Sequence, residues 1–423
     1  MNSPSKPLTT HSPSASTELI HHAYTPPTGF ASPAVPVAKG STIFFPSMAA
    51  VRERDWAFKT TYTYGLHGTS TSFVLEERIA TLEGAKHCIL APSGLAALNM
   101  VNLALLAQGD EVLLPDNVYG PNKHFAQQLL ASYGITHAFY DPQDAQDLAS
   151  KISPKTKLVW LEAAGSVTLE FPDLLGLIAV CNQQKVVCAL DNTWGAGLAF
   201  APFDLRSPDG QALTLDISVH ALTKFPSGGG DVLMGSVCTR DAELHKRLKR
   251  CHMQIGFGVG MNDVEAILRA LPSIQLRYAA QDRSAQQLAC FLAQHPAVAQ
   301  VRHPALPTSP GHQYWQQVCG QNAQTPAQAA GLLSFFPDPS WSSADVDAFC
   351  EALQYFKIGY SWGGPVSLVM AYDLRGDRQL DSSLSAGPGT RLIRLCIGLE
   401  DANDLQADLA QALAAVQAQV QTS

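Results

Sequence analysis

The chain is short of charge, of aromatics and of long apolar runs. Charged residues fill 15% and aromatic residues 8% of its 423 positions. No uninterrupted apolar stretch reaches the ~18 residues that a membrane-crossing helix needs. No basic cluster is present: 28 Lys and Arg stand against 36 Asp and Glu, a net charge of −8. That balance argues against nucleic acid and against an anionic membrane surface as partners. The nine cysteines (88, 181, 188, 238, 251, 290, 319, 350, 396) form no CxxC pair. The set is odd and scattered, which suits neither a disulfide framework nor a zinc site, so a reducing cytoplasm is the expected compartment. The thirteen histidines show no ligand spacing, and no metal is expected. The N-terminus lacks a charged-then-apolar signal pattern, and no internal repeat is visible. No GxGxxG follows an early strand, which disfavours a nicotinamide-dependent dehydrogenase.

What is present is an ordinary globular load of 46% hydrophobic residues, enough for a sizeable core in two or three domains. Residues 1–36 are rich in Ser, Thr and Pro without periodicity and read as part of an N-terminal arm over 1–60, partly flexible. Apolar positions begin at Ser41-Thr42-Ile43-Phe44-Phe45. The spacing of Phe73, Leu75, Ile79 and Leu82 predicts a helix over 73–84, closed by Gly84. Ile89-Leu90-Ala91 reads as a strand. Ser93 is a good cap for a helix over 95–107, with Gly109 past its end. Val112 to Leu114, Leu158 to Leu161 and Val186 to Leu190 read as buried strands separated by helical segments. Such alternation implies an α/β fold with a mostly parallel, doubly covered sheet, here over 61–270. Ligands to such sheets collect at the carboxyl ends of the strands, where Ser93, Glu162 and Asp191 fall. From 271 to 423 the pattern changes to a smaller α+β domain: helices over 282–294 and 343–356, strands at Leu332 to Phe336 and Arg391 to Ile397, and a last helix carrying Leu405, Leu409, Leu413, Val416 and Val420.

Three features at those strand ends converge on one cofactor. Lys224 lies between the apolar segment Ile217 to Leu222 and the run Gly228-Gly229-Gly230-Asp231. Asp191-Asn192-Thr193-Trp194 follows a strand. Ser93-Gly94-Leu95 opens a helix. An amine, a carboxylate and a helix N-terminus are what pyridoxal phosphate needs: a Schiff-base lysine, a partner for the pyridine nitrogen and a dipolar phosphate cradle. Such a lysine requires a lowered pKa, and its freed amine then serves as acid and base. Each feature also has a plainer reading: a solvated lysine, an Asp-Asn turn, an ordinary capped helix. Thr223 offers a further hydroxyl for the phosphate, and Tyr119, on a loop after a strand, a ring to stack on the cofactor. Arg394 alternates with apolar residues on a strand and needs an anion; a substrate α-carboxylate and a structural salt bridge both satisfy it. Ser361-Trp362-Gly363-Gly364 is a Gly-rich loop placed to set Ser361 and Trp362 against the substrate.

From about residue 37 to the C-terminus, these residues resemble the Cys/Met-metabolism PLP enzymes of fold type I. The motifs that carry the resemblance are Tyr64-Gly65-Leu66-His67-Gly68-Thr69, Asp191-Asn192-Thr193-Trp194, Thr223-Lys224, His303-Pro304-Ala305-Leu306-Pro307, Tyr360-Ser361-Trp362-Gly363-Gly364 and Arg394 to Asp401. Tyr360-Ser361-Trp362 and Gly165-Ser166-Val167-Thr168 are similar to the β-lyase branch, where γ-lyases and γ-synthases carry Glu-Ser-Leu in place of the first. The resemblance implies pyridoxal 5'-phosphate, with Lys224, Tyr119 and Tyr64 catalytic and Tyr64 also reaching a neighbouring subunit's phosphate. It adds Tyr360 to the substrate wall beside Ser361 and Trp362. It further implies a homotetramer built from dimers and β-elimination from an amino-acid thioether, cystathionine, to homocysteine, pyruvate and ammonia. A γ-lyase or γ-synthase, a cysteine or cystine desulfhydrase, and a non-catalytic relative remain as alternatives. The chain departs from the pattern in three places. Leu66 stands where an arginine usually contacts the phosphate, with His67 or another cation expected to compensate. Gly228-Gly229-Gly230-Asp231 replaces Gly-His-Ser-Asp, and Ala221 replaces a serine.

Overall fold

A computed structural model describes residues 14–22, 28–29, 32–321, 326–375, 378–380 and 390–420. Its larger sheet has seven strands: β1 (His87–Ala91), β2 (Glu111–Pro115), β3 (Thr136–Tyr140), β4 (Thr156–Glu162), β5 (Val187–Asp191), β6 (Ile217–His220) and β7 (Gly235–Thr239). Their spatial order is β1-β7-β6-β5-β4-β2-β3. All neighbours from β6 to β3 pair parallel; β7 runs against both β6 and β1. β1 therefore points the same way as β6, and the residues after β1, β2, β4, β5 and β6 emerge at one edge.

Both faces of this sheet are covered, which is why its strands read as unbroken apolar runs. Leu158 and Trp160 of β4 pack with Leu98 and Val101 of helix Gly94–Leu105 and with Leu248 of helix Ala242–Ile255. Val159 and Leu161, one residue out of phase, pack with Leu75 and Ile79 of helix Ser70–Glu83 and with Ile178 of helix Leu174–Gln184. The polar tips of buried aromatics are met: Trp160 Nε1 donates to Asn102 Oδ1 at 2.8 Å and Tyr140 OH to the Trp160 carbonyl at 2.6 Å.

A second sheet is formed by β8 (Val298–Arg302), β9 (Leu332–Pro337), β10 (Lys357–Ile358), β11 (Leu368–Asp373) and β12 (Arg391–Cys396), in the order β10-β11-β12-β9-β8. Phe335 and Ile393 pack under helices Ile274–Ala293, Ser343–Ala352 and Ala402–Val420 through Leu288, Phe349 and Leu409. The two sheets are tied by Glu170. Its carboxylate meets Arg302 at 3.7 Å and Arg378 at 3.2 Å, and accepts from Asn117 at 3.3 Å. Burial alone pushes the Glu170 carboxyl up; Arg378 and Arg302 outweigh it and hold it below its ordinary value.

Where element ends differ from the sequence reading, a local bond accounts for it. Helix Ser70–Glu83 starts three residues before 73 because Thr69 and Ser72 form a reciprocal capping box built on Ser rather than Glu. Helix Ser343–Ala352 stops short of 356 because Asp408 accepts the N–H groups of Gln354 and Tyr355, both at 2.8 Å. Helix Ile274–Ala293 begins eight residues before 282, burying Ile274 and Tyr278. Part of the arm expected over 1–36 lies outside the described residues. Within it, Ala15–Ile20 is a helix capped by Ser14, with Leu19 buried.

Removing the carboxylate at position 170 tests the tie. Glu170→Ala is expected to cost about 3–5 kcal/mol of stability at neutral pH, read from denaturant unfolding. Because the folded pKa is depressed, the difference from wild type narrows as pH falls through the ordinary glutamate range and below.

Candidate active site

The shared edge of the larger sheet collects the expected residues. Lys224 follows β6 and the turn Ala221–Thr223. Its Nζ donates to Ser361 Oγ at 2.8 Å and lies 5.5 Å from the Trp362 ring centroid. Burial, then Arg394, lowers the amine from 10.5 to about 8, against smaller opposing contributions from Cys396 and Asp191. The amine thus has a neutral population near physiological pH, which a solvated lysine lacks.

Asp191 ends β5, its Oδ1 accepting from Thr193 N at 3.0 Å and Thr193 Oγ1 at 2.5 Å. Glu162 ends β4 directly beside it in register. Burial, then Asp191, pushes the Glu162 carboxyl up to about 8. Burial also raises Asp191, against Thr193, His220 and Lys224. Among the described residues neither carboxylate makes an ion pair. Glu162 Oε2 accepts the Tyr119 N–H at 2.7 Å, placing Tyr119 at the start of helix Gly120–His124. The Tyr119 phenol is raised by burial, then by Asp191 and Glu162, with Arg394 opposing; it therefore belongs to the same cluster.

Helix Gly94–Leu105 starts at this edge. Ser93 Oγ accepts Ala96 N–H at 3.0 Å, and the N–H groups of Gly94 and Leu95 are of the kind that has no intrahelical partner. The start is packed too tightly for side chains. A Cβ on Gly94 would lie 2.5 Å from the Ala221 Cβ, and one on Gly235 would lie 2.4 Å from the Ser93 carbonyl oxygen. Thr223 is differently employed: Oγ1 donates to the Met234 carbonyl at 3.2 Å and accepts Met234 N–H at 3.0 Å, so its proton is already used on the chain.

The opposite wall comes from the second sheet. Arg394, on β12, is buried, makes no ion pair among the described residues, and leaves Nε without a partner. Its guanidinium stands 5.2 Å from the Tyr372 ring centroid, and Tyr360 meets Tyr372 edge-on at 6.4 Å. Ser361 has φ 120°, a strained value for a residue with a side chain. Next to it Gly363, at φ 78°, is pressed on the lysine segment: a Cβ there would lie 2.8 Å from Phe225 N and 2.9 Å from Lys224 C. The glycine run after Lys224 is also held. Arg277 Nη1 donates to the Phe225 carbonyl at 2.6 Å and would meet a Cβ on Gly228 at 2.5 Å.

Two residues stand apart. Tyr64 is 47% exposed and packs edge-on to His67; among the described residues no hydrogen bond or ring contact joins it to Lys224. Leu66 lies beside Gly258, and His67 is engaged by Thr63 Oγ1 at 2.7 Å. Sequence reasoning put Glu162 at a strand end where a site falls but gave it no role, and missed Tyr372, whose place depends on its pairing with the arginine-bearing strand.

The set fits pyridoxal phosphate. It has a helix start open to an anion, two carboxylates and a buried guanidinium that make no ion pair among the described residues, and a low-pKa amine.

Residues 16–414 match the family model described as Cys/Met metabolism PLP-dependent enzyme. The chain is similar to the cystathionine beta-lyase of Bordetella avium, 36% identical over 394 residues, covering 92% of this chain and 94% of that protein. It is also similar to the cystathionine beta-lyase MetC of Escherichia coli K12, 34% identical over 355 residues, covering 82% and 84%. The crystal structure of metB from Corynebacterium glutamicum superimposes with a TM-score of 0.83 at 25% identity, covering 96% of this chain and 99% of that one.

The lowered amine gives a direct check. Reductive alkylation of the cofactor-free chain by a small aldehyde and borohydride, read by peptide mass spectrometry, is expected to modify Lys224 half-maximally near pH 8. The neutral amine reacts, so labelling rises with pH and levels off above that midpoint, while exposed lysines keep rising toward 10.5.

Proposed function

The chain belongs to the Cys/Met metabolism PLP-dependent enzymes, and on that premise we propose that it is a carbon–sulfur β-lyase cleaving cystathionine to homocysteine, pyruvate and ammonia. The observation that carries this reading is the buried guanidinium of Arg394, which makes no ion pair among the described residues and lies close enough to the Lys224 amine to lower its pKa. An α-amino acid whose carboxylate sits on that guanidinium presents its Cα to the amine.

Ser93, Gly94 and Leu95 would hold the cofactor phosphate, Asp191 the ring nitrogen and Tyr119 the ring face. Bound there, pyridoxal phosphate supplies an electron sink that acidifies the substrate Cα–H. Arg394 and Ser361 orient the α-carboxylate. Lys224, neutral near pH 8, takes the Cα proton and, once protonated, hands a proton to the sulfur as the Cβ–S bond breaks. Ser361 Oγ, 2.8 Å from Nζ, keeps the amine aimed during that transfer. Tyr360 and Trp362 narrow the space around Cβ and Cγ, which favours loss of a group from Cβ. The released enamine adds water to give pyruvate and ammonia.

The reading includes a cytoplasmic homo-oligomer, a dimer of dimers, in which Tyr64 reaches a neighbouring copy's phosphate. Phe44, 93% exposed, and Met48, 66% exposed, lie on the same N-terminal stretch and support an interface there.

Cystathionine turned over by the purified protein is expected to give pyruvate in step with homocysteine; 2-oxobutyrate would assign γ-elimination instead. Lys224→Ala is expected to lower kcat at least ~10²-fold. A second prediction concerns Tyr372. A guanidinium over an aromatic face is worth ~0.5–2 kcal/mol, so Tyr372→Ala should raise KM roughly 2- to 30-fold with kcat little changed, and Tyr372→Phe should restore it.

A further inference from the structure

Helix Ser70–Glu83 ends in a carboxylate that the proposed chemistry does not use. Glu83 is fully buried, as are Asn192, Ser218 and His220 around it. Glu83 Oε2 accepts from Ser218 Oγ at 2.8 Å and from Asn192 Nδ2 at 2.9 Å; Oε1 lies 3.0 Å from His220 Nδ1. The partners come from the ends of two strands. Asn192 directly follows Asp191 at the end of β5, while Ser218 and His220 lie on β6, whose continuation carries Lys224. Asn192 N also donates to the Val219 carbonyl at 2.8 Å. One side-chain carboxylate thus fixes, from beneath, the two chain segments that carry the acidic residue and the amine of the site. His220 Nδ1 faces that carboxylate, and among the described residues His220 Nε2 has no hydrogen-bond partner. A positive charge at His220 stabilises the neighbouring Asp191 carboxylate.

Resting on the β-lyase reading, we propose that Glu83 and His220 form an ion pair whose function is to position Asp191 and keep it ionised against the cofactor ring nitrogen. They are positioning residues, one step behind the groups that touch cofactor and substrate. Glu83 also acts on Cys238 of β7, which pairs with Cys88 on β1, and His220 acts on Asp191 at the site. Burial, then Cys88, raises the Cys238 thiol, with Glu83 adding to it, so it stays neutral there.

The test uses the holoenzyme in three variants: Glu83→Gln and His220→Gln, which remove the charges, and Ser218→Ala, which removes one donor and leaves both charges. Each is read for unfolding midpoint, pyridoxal phosphate affinity, and the pH midpoint of the bound cofactor's visible absorption band. The two charge variants are expected to displace the pH midpoint in the same direction. They should also lose affinity, kcat or both by roughly 10- to 100-fold, the usual size for partners one step behind a site. Ser218→Ala is expected to lower the unfolding midpoint and leave the band and its pH midpoint as in wild type. A band and pH midpoint unchanged in the charge variants, or displaced equally in Ser218→Ala, overturns the proposal and leaves a purely structural network. If Glu83→Gln does not fold, His220→Gln decides alone by the same criterion. Pyruvate formation by the wild type is scored separately, so a failed β-lyase reading is distinguishable from a failed ion pair.

Discussion

Everything in this molecule is arranged around charge that is buried and incompletely neutralised by the chain itself. At one edge of the larger sheet stand Lys224, Glu162 and Asp191, the two carboxylates adjacent in register, with Arg394 of the second sheet opposite them. Taking such groups out of water costs several kcal/mol each unless partners replace the lost hydration. The chain replaces that hydration only in part, with Ser361 for the lysine and Thr193 for the aspartate. The shifted pKa values of Lys224 and Glu162 record the shortfall, and it is what gives the edge its affinity for a ligand carrying a cationic ring nitrogen, an aldehyde and a phosphate.

Holding that arrangement open requires a scaffold that is otherwise fully satisfied. The strands under the site alternate strictly between two apolar faces, so the sheet has little freedom to slip. Glu170 ties the second sheet to the loops after β2 and β4 through two arginines. Arg277 pins the glycine run after Lys224 at the Phe225 carbonyl. That is why three successive glycines at 228–230 leave the lysine in place. The backbone freedom they bring is used for the positive φ of Gly228 and Gly230.

How much of this is legible in the chain depends on distance along it. The cap at Ser93, the strand-end Asp191 and the lysine before the glycine run are local patterns, and the parallel sheet follows from alternating apolar runs. The far wall is legible only in part without resemblance: Arg394 stands out on an apolar strand and Ser361-Trp362 on a Gly-rich loop, yet what joins them to a lysine more than 130 residues earlier is the family pattern. Glu162 is legible only as a strand-end residue, because its role beside Asp191 depends on the register of β4 against β5. Tyr372 escapes because its strand has no clear signature in the sequence, and its meaning arises only from the neighbouring Arg394. Glu83, 137 residues from its histidine partner, carries no local sign of its role. Thr223 is legible as a site hydroxyl by position, yet its hydrogen bonds go to Met234, a partner fixed by the turn rather than by sequence spacing.

The contact at Gly363 bears on how such a protein diversifies. With room for no side chain against the Lys224 backbone, the main chain of the 361–364 loop and that of the lysine segment are frozen as one piece. A lineage that alters one must alter the other, and the lysine segment has almost no tolerated alternatives. Heritable variation in this wall is thereby funnelled into the side chains at 360 and 362, which can be exchanged without moving the backbone. Changes in this wall are therefore expected to come as side-chain exchanges at 360 and 362 rather than as insertions or deletions in the loop.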